Sequence, residues 1–266
     1  MADKIKVVIA GALGKMGQET VNAILNDEEL QLVALVDVKK PGDTNIFTAA
    51  AIKNLPPIDN DLIEVIDRTK PDVLIDFTNP QSVFSNAKTA LLNGISCVLG
   101  TTGLNDIEIE QLEKMAIDKG AGVAIIPNFA IGAVLMMKFA REAARYFNDV
   151  EIIELHHDQK LDAPSGTAIK TAEMINDSRS LTAPKNLKEY EKIAGARGGD
   201  VDGVRIHSVR LPGLVAHQEV IFGGAGQTMT IRHDTIDRAC FMPGVVMVTK
   251  KILNYKGLIH GMDKLM

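Results

Sequence analysis

The side chains with the clearest capacity for chemistry lie in one short stretch near the middle of the chain. His156 can donate a proton near neutral pH, and Lys160 can supply a positive charge or a proton. Ser165 has the side chain of a helix N-cap, so Gly166 and Thr167 would present backbone N–H groups to an anion. The stretch therefore predicts a proton donor beside a receptor for a carboxylate.

The adjacent histidines also raise the alternative of a metal site. His156 and His157 would point to opposite faces of a strand, and only a twist at the strand end lets both serve one pocket. The pair lacks the i, i+4 spacing of helical zinc ligands, and no cysteine or third histidine lies nearby in the sequence. Ser165 lacks the G-x-S-x-G setting of a nucleophile, and Cys97 lies in an apolar run. We expect neither a metal nor a covalent nucleophile here.

A glycine-rich segment near the N-terminus predicts a phosphate-binding loop. Gly11, Gly14 and Gly17 follow an apolar run at 5–10 and precede apolar residues at helical spacing. Backbone N–H groups at a helix start point outward and the helix dipole favours negative charge, which suits a pyrophosphate. The spacing is G-x-x-G-x-x-G, so Leu13 stands where the usual dinucleotide fingerprint has its second glycine.

An acid follows the second apolar run, where dinucleotide-binding proteins hold the adenosine ribose. Asp37 lies 20 positions after Gly17 (37 − 17) and can accept hydrogen bonds from the ribose hydroxyls. Its carboxylate repels a 2′-phosphate, which favours NADH, whereas Lys39 and Lys40 can meet that phosphate as point charges. The choice between NADH and NADPH therefore stays open, and a turn aspartate with two solvated lysines is the plain alternative.

The elements that must position these residues alternate in the first half of the chain. Apolar runs predict strands at 5–10, 30–36, 73–77, 96–99 and 123–126, and helical spacing predicts helices between them, including 81–92 and 106–119. Strands separated by helices form parallel sheets with right-handed crossovers. We therefore predict an α/β fold with a Rossmann-type doubly wound parallel sheet.

The pattern changes after about residue 128. A helix over 131–147, a strand over 150–156 and closely spaced runs at 204–211, 215–222 and 229–232 predict a second α+β domain with a mixed or antiparallel sheet. The charged, glycine-containing segment 185–202 is expected to be an exposed excursion. A helical pattern returns after about Asp237, and we expect this tail to pack back on the first domain.

Composition excludes several classes of protein. The 266 residues are 46% hydrophobic and 24% charged, as in a globular chain. A formal net charge of -5 gives no general attraction for nucleic acid. Two cysteines cannot form a disulfide framework, and no apolar run approaches the length of a membrane span. We expect a cytoplasmic protein with no nucleic-acid or membrane partner.

Four segments together resemble the dihydrodipicolinate reductase family. They are GALGKMG at 11–17, GTTG at 100–103, PNFAIG at 127–132 and ELHHDQKLDAPSGTA at 154–168. The last segment is long and specific, and the resemblance covers essentially the whole chain, including HSVRLPG and HQEVIFG in the second half. The resemblance implies an enzyme that reduces 4-hydroxy-tetrahydrodipicolinate to tetrahydrodipicolinate with NADH or NADPH, in lysine and diaminopimelate biosynthesis. It also implies a homotetramer.

The resemblance further implies roles for domains and residues. A dinucleotide-binding domain would span 1–128 and 238–266, and a substrate-binding and oligomerisation domain would span 129–237. His156 and Lys160 would be the proton donors, while His157, Gly166 and Thr167 would bind the dicarboxylate substrate. The cofactor-binding residues would be Gly11, Ala12, Leu13, Gly14, Lys15 and Met16 at the pyrophosphate, Asp37 and Lys39 at the adenosine ribose, and Gly100, Thr101, Thr102, Ile126, Pro127, Asn128 and Phe129 at the nicotinamide.

Two other functions stay open at this point. One is another nicotinamide-dependent dehydrogenase of a small carboxylate, which would share the fold but not the substrate. The other is a non-catalytic dinucleotide sensor, in which the glycine loop binds cofactor without chemistry. The stretch 156–167 favours an enzyme, because a sensor has no use for an acid beside a carboxylate receptor.

Overall fold

A computed structural model describes residues 3–38, 55–179 and 190–266. Lys39, which we predict to lie near the adenosine ribose, and Lys40 fall outside the described residues. The chain divides into two compact units. Unit 1 comprises Met1–Phe129 and Phe241–Met266, and unit 2 comprises Ala130–Cys240.

Within the described residues, unit 1 is built on a parallel sheet of seven strands. Its described elements in chain order are β1 (Ile5–Ala10), α1 (Lys15–Leu25), β2 (Leu30–Val36), β3 (Ile58–Asp59), α2 (Leu62–Thr69), β4 (Val73–Asp76), α3 (Val83–Leu92), β5 (Ser96–Leu99), α4 (Asp106–Lys119) and β6 (Gly122–Ile125). The strand order, with a last strand β12 (Gly257–His260), is β12-β6-β5-β4-β1-β2-β3, and every pairing is parallel. The predicted Rossmann-type sheet is confirmed.

Local sequence explains where several of these helices begin and end. Asp61 caps α2 by accepting hydrogen bonds from the N–H groups of Ile63 and Glu64. Asn105 and Glu108 form a capping box at the start of α4. Gly120, in the left-handed conformation at φ 67°, ends the same helix. These caps fix ends of two helices that connect parallel strands of the sheet.

Burial of continuous apolar runs holds the sheet together. Val73 and Leu74 of β4 and Cys97 of β5 have no exposed surface, as expected of strands covered on both faces. Burial raises the pKa of the Cys97 thiol, so this cysteine is an inert core residue. The apolar pattern of these strands therefore serves packing, and chemistry is left to the residues at their ends.

In the part that the structure describes, unit 2 contains a mixed sheet of five strands with two α-helices. Its elements are α5 (Ile131–Ala143), β7 (Asp149–His156), α6 (Gly166–Asn176), β8 (Gly199–Val201), β9 (Val204–Arg210), β10 (Ala216–Gly224) and β11 (Gln227–Thr235). The order is β11-β10-β7-β9-β8, in which β7 and β9 are parallel and the other pairs antiparallel. The α5 and α6 helices share a buried core with the sheet, formed by residues such as Met136, Ile152, Ala172 and Phe222. The predicted mixed sheet is confirmed.

Some boundaries differ from the predicted ones. The helix predicted over 131–147 ends at Ala143, because Tyr146 and Phe147 both bond back to the Ala143 carbonyl in tight turns. Of the predicted excursion 185–202, residues 185–189 lie outside the described ranges, and most of 190–200 is exposed. After unit 2, α7 (Met242–Ile252) packs with α1, β5 and β6, and β12 pairs with β6. No helix in the described parts of the chain is long and apolar enough to cross a membrane.

Candidate functional site

His156 is the last residue of β7, the central strand of unit 2. Its Nδ1 lies 2.5 Å from Oε2 of Glu154, two positions earlier on the same face of the strand. The Glu154 side chain has no exposed surface. An ionised carboxylate only accepts hydrogen bonds, so Nδ1 of His156 carries the proton in this contact. Nε2 is then the ring nitrogen that can act on a ligand.

Glu154 is held by a bidentate arginine from the neighbouring strand. Arg210, the last residue of β9, donates from Nη1 to Oε2 and from Nη2 to Oε1, each at 2.8 Å. Burial by itself raises the pKa of Glu154, but hydrogen bonds from Arg210, Ser208 and His156 outweigh it and hold the pKa below the ordinary value. Glu154 is therefore a carboxylate at neutral pH.

The surroundings of His156 disfavour its charged form. Burial lowers the pKa of His156, the contact with Glu154 raises it, and the positive charges of Lys160 and Arg210 lower it again. The result is a pKa below the usual value of 6.5. The charge of His156 therefore depends on the balance between its burial, Glu154 and the two nearby cations.

Lys160 is fixed by an aspartate of the same loop. Its Nζ donates to both carboxylate oxygens of Asp162 at 2.7 Å, and its backbone N–H donates to the His157 carbonyl at 3.2 Å. Arg210 also reaches this loop, because Nη2 donates to the Asp162 carbonyl at 2.8 Å. One guanidinium therefore contacts both the carboxylate behind His156 and the loop that carries Lys160.

The start of α6 joins the same group. The Ser165 side chain accepts from the Ala168 N–H at 3.2 Å, which confirms Ser165 as the N-cap. The Ser165 N–H donates to Oε1 of Glu154 at 3.2 Å. A Cβ at Gly166 would meet nothing within 4 Å, so there is space beside the first turn of the helix. Since first-turn N–H groups have no intrahelical partner, this end of α6 suits an anion.

His157 lies just past the end of β7 and is half-buried. Its carbonyl accepts a hydrogen bond from the Lys160 N–H, so His157 lies at the start of the Lys160 loop, whereas His156 ends the strand. Within 3–38, 55–179 and 190–266, no group of three or more His, Cys, Asp or Glu side chains is placed to hold a metal ion.

Sequence reasoning missed Glu154 and Arg210. A carboxylate two residues before a histidine on the same strand face was a usable signal for Glu154. Arg210 is 56 positions away from Glu154 in sequence, and only the β7–β9 pairing brings His156 and Arg210 into register.

In unit 1, the glycine loop is packed too closely for side chains. Gly11 has φ 77°, and a Cβ there would lie 2.4 Å from the Phe77 carbonyl oxygen. A Cβ on Gly17 would lie 2.1 Å from the Gly11 carbonyl oxygen. Gly14 is the N-cap of α1 and offers no side-chain cap, so the first-turn N–H groups remain for a ligand. The loop fits a pyrophosphate on these grounds.

Asp37 is tied to this loop. Its Oδ2 accepts a hydrogen bond from the Leu13 N–H at 2.9 Å. The acid at the end of β2 and the loop after β1 are therefore adjacent, as a dinucleotide site requires. Leu13, at the non-standard position of the glycine pattern, uses its backbone rather than its side chain.

The segments predicted for the nicotinamide end follow the neighbouring strands β5 and β6, and the end of β4 lies next to that of β5. Asp76 has no exposed surface and accepts hydrogen bonds from the Thr78 N–H and hydroxyl, Asn86 Nδ2 and Thr101 Oγ1, at 2.7–2.9 Å. The rings of Phe77 and Phe129 meet edge to face, 5.6 Å between centroids.

Gly100 fits against the Phe77 ring, which a Cβ would approach to 2.1 Å. Thr102 is exposed, Ile126 and Phe129 are buried, Pro127 is exposed and Asn128 is half-buried. The structure thus brings 100–102 and 126–129 together at the carboxyl edge of the sheet, where open α/β sheets bind ligands. Asp76 was not predicted, although an acid ending an apolar run was visible.

The fold can be compared with the folds of solved proteins. The structure of apo scyllo-inositol dehydrogenase from Lactobacillus casei superposes with a TM-score of 0.61, covering 99% of this chain and 92% of that chain, at 12% identity. At that identity the likeness concerns the fold alone. The chain therefore belongs to the class of two-unit proteins that contain a Rossmann-type parallel sheet.

Sequence models described as dihydrodipicolinate reductase match residues 5–129 (N-terminus) and 132–266 (C-terminus). The chain belongs to the dihydrodipicolinate reductase family. It is 66% identical over 267 residues to a 4-hydroxy-tetrahydrodipicolinate reductase of Syntrophomonas wolfei, covering 100% of both proteins. Dipicolinate-bound dihydrodipicolinate reductase from Paenisporosarcina sp. TG-14 shares 47% identity and a TM-score of 0.88, covering 99% of this chain and 100% of that chain. The resemblance inferred from the motifs is confirmed.

Proposed function

We propose that the chain reduces 4-hydroxy-tetrahydrodipicolinate to tetrahydrodipicolinate, using NADPH or NADH, in lysine and diaminopimelate biosynthesis. One observation carries this proposal: unit 2 holds His156, Lys160 and the start of α6 together through Glu154 and Arg210. Relatives whose alignments cover 98% and 100% of the chain are named 4-hydroxy-tetrahydrodipicolinate reductase, and a solved relative is described with dipicolinate bound.

The substrate is a dicarboxylate, and unit 2 has the groups to hold it. Lys160 supplies a positive charge, and Gly166 and Thr167 begin the helix whose first-turn N–H groups suit a carboxylate. His157, next to the Lys160 loop, contributes to substrate binding. Lys160 and His156 are the proton donors, His156 through Nε2, because Nδ1 is bonded to Glu154. Glu154 also stabilises the imidazolium form that has a proton to give.

The dinucleotide is held by unit 1. The loop Gly11, Ala12, Leu13, Gly14, Lys15 and Met16 binds the pyrophosphate, and Asp37 binds the adenosine ribose. Gly100, Thr101, Thr102, Ile126, Pro127, Asn128 and Phe129 line the nicotinamide. When bound, the reduced nicotinamide supplies the hydride. We propose use of both NADH and NADPH, because the Asp37 carboxylate favours the former, and Lys39, outside the described residues, would favour the latter.

We also propose a cytoplasmic homotetramer that assembles through the sheet of unit 2. The sheet face opposite α5 and α6 carries half-buried apolar side chains, including Ile153, Leu155, Val209 and Ile221. Such a face supports sheet-to-sheet association. Light scattering on the purified chain tests the assembly: a mass of four chains is expected, and a monomer would contradict it.

A coupled assay tests the proposed reaction. Pyruvate, aspartate semialdehyde and the synthase that joins them generate the substrate in place, and the fall in NADPH or NADH absorbance follows its reduction. We expect oxidation that depends on the synthase and on this chain. A chain that oxidises neither cofactor would be a sensor, and one that oxidises them only with other small carboxylates would be a different dehydrogenase.

A further inference from the structure

Glu154 is a charged residue on the face of β7 that otherwise carries apolar core residues. Alternate residues of β7 point into the core of unit 2, and Val150 and Ile152 on that face are buried among apolar side chains. Glu154 continues the same row with a fully buried carboxylate. A buried ion pair is a poor source of stability, since apolar residues of similar volume often serve as well or better. Stability therefore does not account for Glu154 and Arg210.

The contacts of Arg210 explain better why the chain buries the Glu154–Arg210 ion pair. Two of its hydrogen bonds go to Glu154, which in turn contacts His156 and the Ser165 N–H. A third goes to the backbone carbonyl of Asp162, and the side-chain carboxylate of Asp162 holds Lys160. The guanidinium fork has a fixed planar shape, so these contacts define one relative placement of strand, loop and helix start.

We propose that Glu154 and Arg210 are positioning residues for the reaction proposed above. Glu154 fixes the ring of His156 with the proton on Nδ1 and Nε2 facing the ligand. Arg210 holds that carboxylate and the Lys160 loop in one arrangement. This inference rests on the proposed function, because it assigns the two residues to the placement of its two proton donors.

The same contacts set the charge balance around His156. The charged groups that face it are Glu154 on its own strand, Arg210 on β9 and Lys160 in the loop, while β10 opposes it with Ala216. Of these, only Glu154 raises the pKa of His156. Removing its charge therefore leaves burial and two cations to lower the pKa of His156 further.

The test compares Glu154→Gln with a matched control on the same strand, Glu151→Gln. Glu151 contacts His207 and Arg197, so the control removes the same charge from a similar group. In the coupled assay we expect Glu154→Gln to lower kcat by about 10- to 100-fold, with KM for substrate changed by less than about threefold. Because Glu151 lies on the sheet face proposed for assembly, light scattering must first show that Glu151→Gln keeps the mass of wild type; its kcat is then expected to stay within about twofold of wild type.

The pH profile separates positioning from a merely structural role. The kcat/KM of an enzyme with an essential acid falls as pH rises through the pKa of that acid in the free enzyme. We expect the falling limb assigned to His156 to move to lower pH in Glu154→Gln and to stay in place in Glu151→Gln. A loss of folded protein alone would lower the amplitude of the profile and leave the limb where it is.

A double variant, Glu154→Leu with Arg210→Met, covers the case in which a lone arginine destabilises the single variant. It removes both charges together, so no unpaired charge is left in the core. We expect a folded protein by circular dichroism with turnover reduced by more than about 100-fold. The inference would be overturned if the folded double variant kept wild-type turnover, or if Glu154→Gln kept the kcat and the falling pH limb of wild type. In either case an active wild type would still support the proposed reaction. A wild type that oxidises neither cofactor would overturn the proposed function, and the inference with it.

Discussion

Two clusters of the same three side-chain types are each built around a carboxylate of strand β7, in different surroundings. The inner cluster is Glu154, His156 and Arg210, and the outer cluster is Glu151, His207 and Arg197. The carboxylate-to-histidine distances are similar, 2.5 Å and 2.7 Å. The inner carboxylate is fully buried, whereas the outer one is 37% exposed. Similar contacts therefore occur once in the core and once in partial contact with water.

Burial gives the two clusters different physical roles. Exposed ion pairs contribute little, because water and salt screen them and ordering the side chains costs entropy. Buried charges keep strong fields and fixed geometry, at a desolvation cost that must be offset by full hydrogen bonding. Glu154 meets that condition through Arg210, His156 and Ser165. The comparison shows that a charged cluster is a candidate for function when its burial has no other explanation.

The largest expected effect is at the lysine tied to the inner cluster. Lys160→Met should lower kcat/KM by about 10³-fold, because the ammonium both attracts the dicarboxylate and donates a proton. Lys170→Met, which removes an exposed lysine paired with Glu173 on α6, should stay within about twofold of wild type. Initial rates in the coupled assay measure both. Equal losses in the two variants would show that general charge, and not position, matters.

Exchanging the two histidines for glutamine tests the comparison directly. His156→Gln should lower kcat by about 10²-fold with little change in KM, because an acid acts mainly in the transition state. His207→Gln should leave kcat and KM near wild type, since its partner Glu151 is partly exposed. If His156→Gln kept wild-type turnover, the assignment of His156 as the acid would be wrong.

A second buried carboxylate, Asp76 in unit 1, sharpens the contrast because it lies beside the segments proposed to bind the cofactor. It is held by the neutral donors Thr78, Asn86 and Thr101. Asp76→Asn replaces one acceptor oxygen with a donor, so one hydrogen bond is lost. We expect this loss to weaken NADPH binding by about 1 kcal/mol, which corresponds to about a fivefold rise in KM for NADPH. Its kcat should change less than that of Glu154→Gln. A rise in KM for substrate without a rise for NADPH would contradict this placement.

The smallest expected effect is on stability in acid. The pKa of Glu154 and the pKa of Glu151 both lie below 4.5, so each contributes stability that is present above pH 4.5 and lost as pH falls through its folded-state pKa. The outer contribution should be within about 1 kcal/mol and should shrink in about 0.5 M salt. The inner one should resist salt. Urea unfolding of wild type, Glu154→Gln and Glu151→Gln at about pH 3 and at pH 7, with and without salt, checks this; equal salt sensitivity would remove the distinction.

The sequence predicted most of the fold but only part of the site. Runs such as 5–10, 30–36 and 96–99 were predicted at the bounds observed, because buried parallel strands are apolar throughout. The α2 helix and the strands β3 and β12 were missed, because they are short and β12 is recognisable only through its pairing with β6. The cap Ser165 was visible in the local pattern, whereas the contact between Glu154 and Arg210 depends on tertiary pairing.

Dipicolinate binding is the most direct test of the central claim, that the His156–Lys160 region of unit 2 is a dicarboxylate site. Isothermal titration calorimetry would compare the wild-type chain with Lys160→Met and the control Lys170→Met, all at pH 7. We predict that wild type and Lys170→Met bind dipicolinate with similar affinity and that Lys160→Met loses at least about tenfold, the equivalent of about 1.4 kcal/mol. Equal affinity in all three proteins, or no binding to wild type, would contradict the claim.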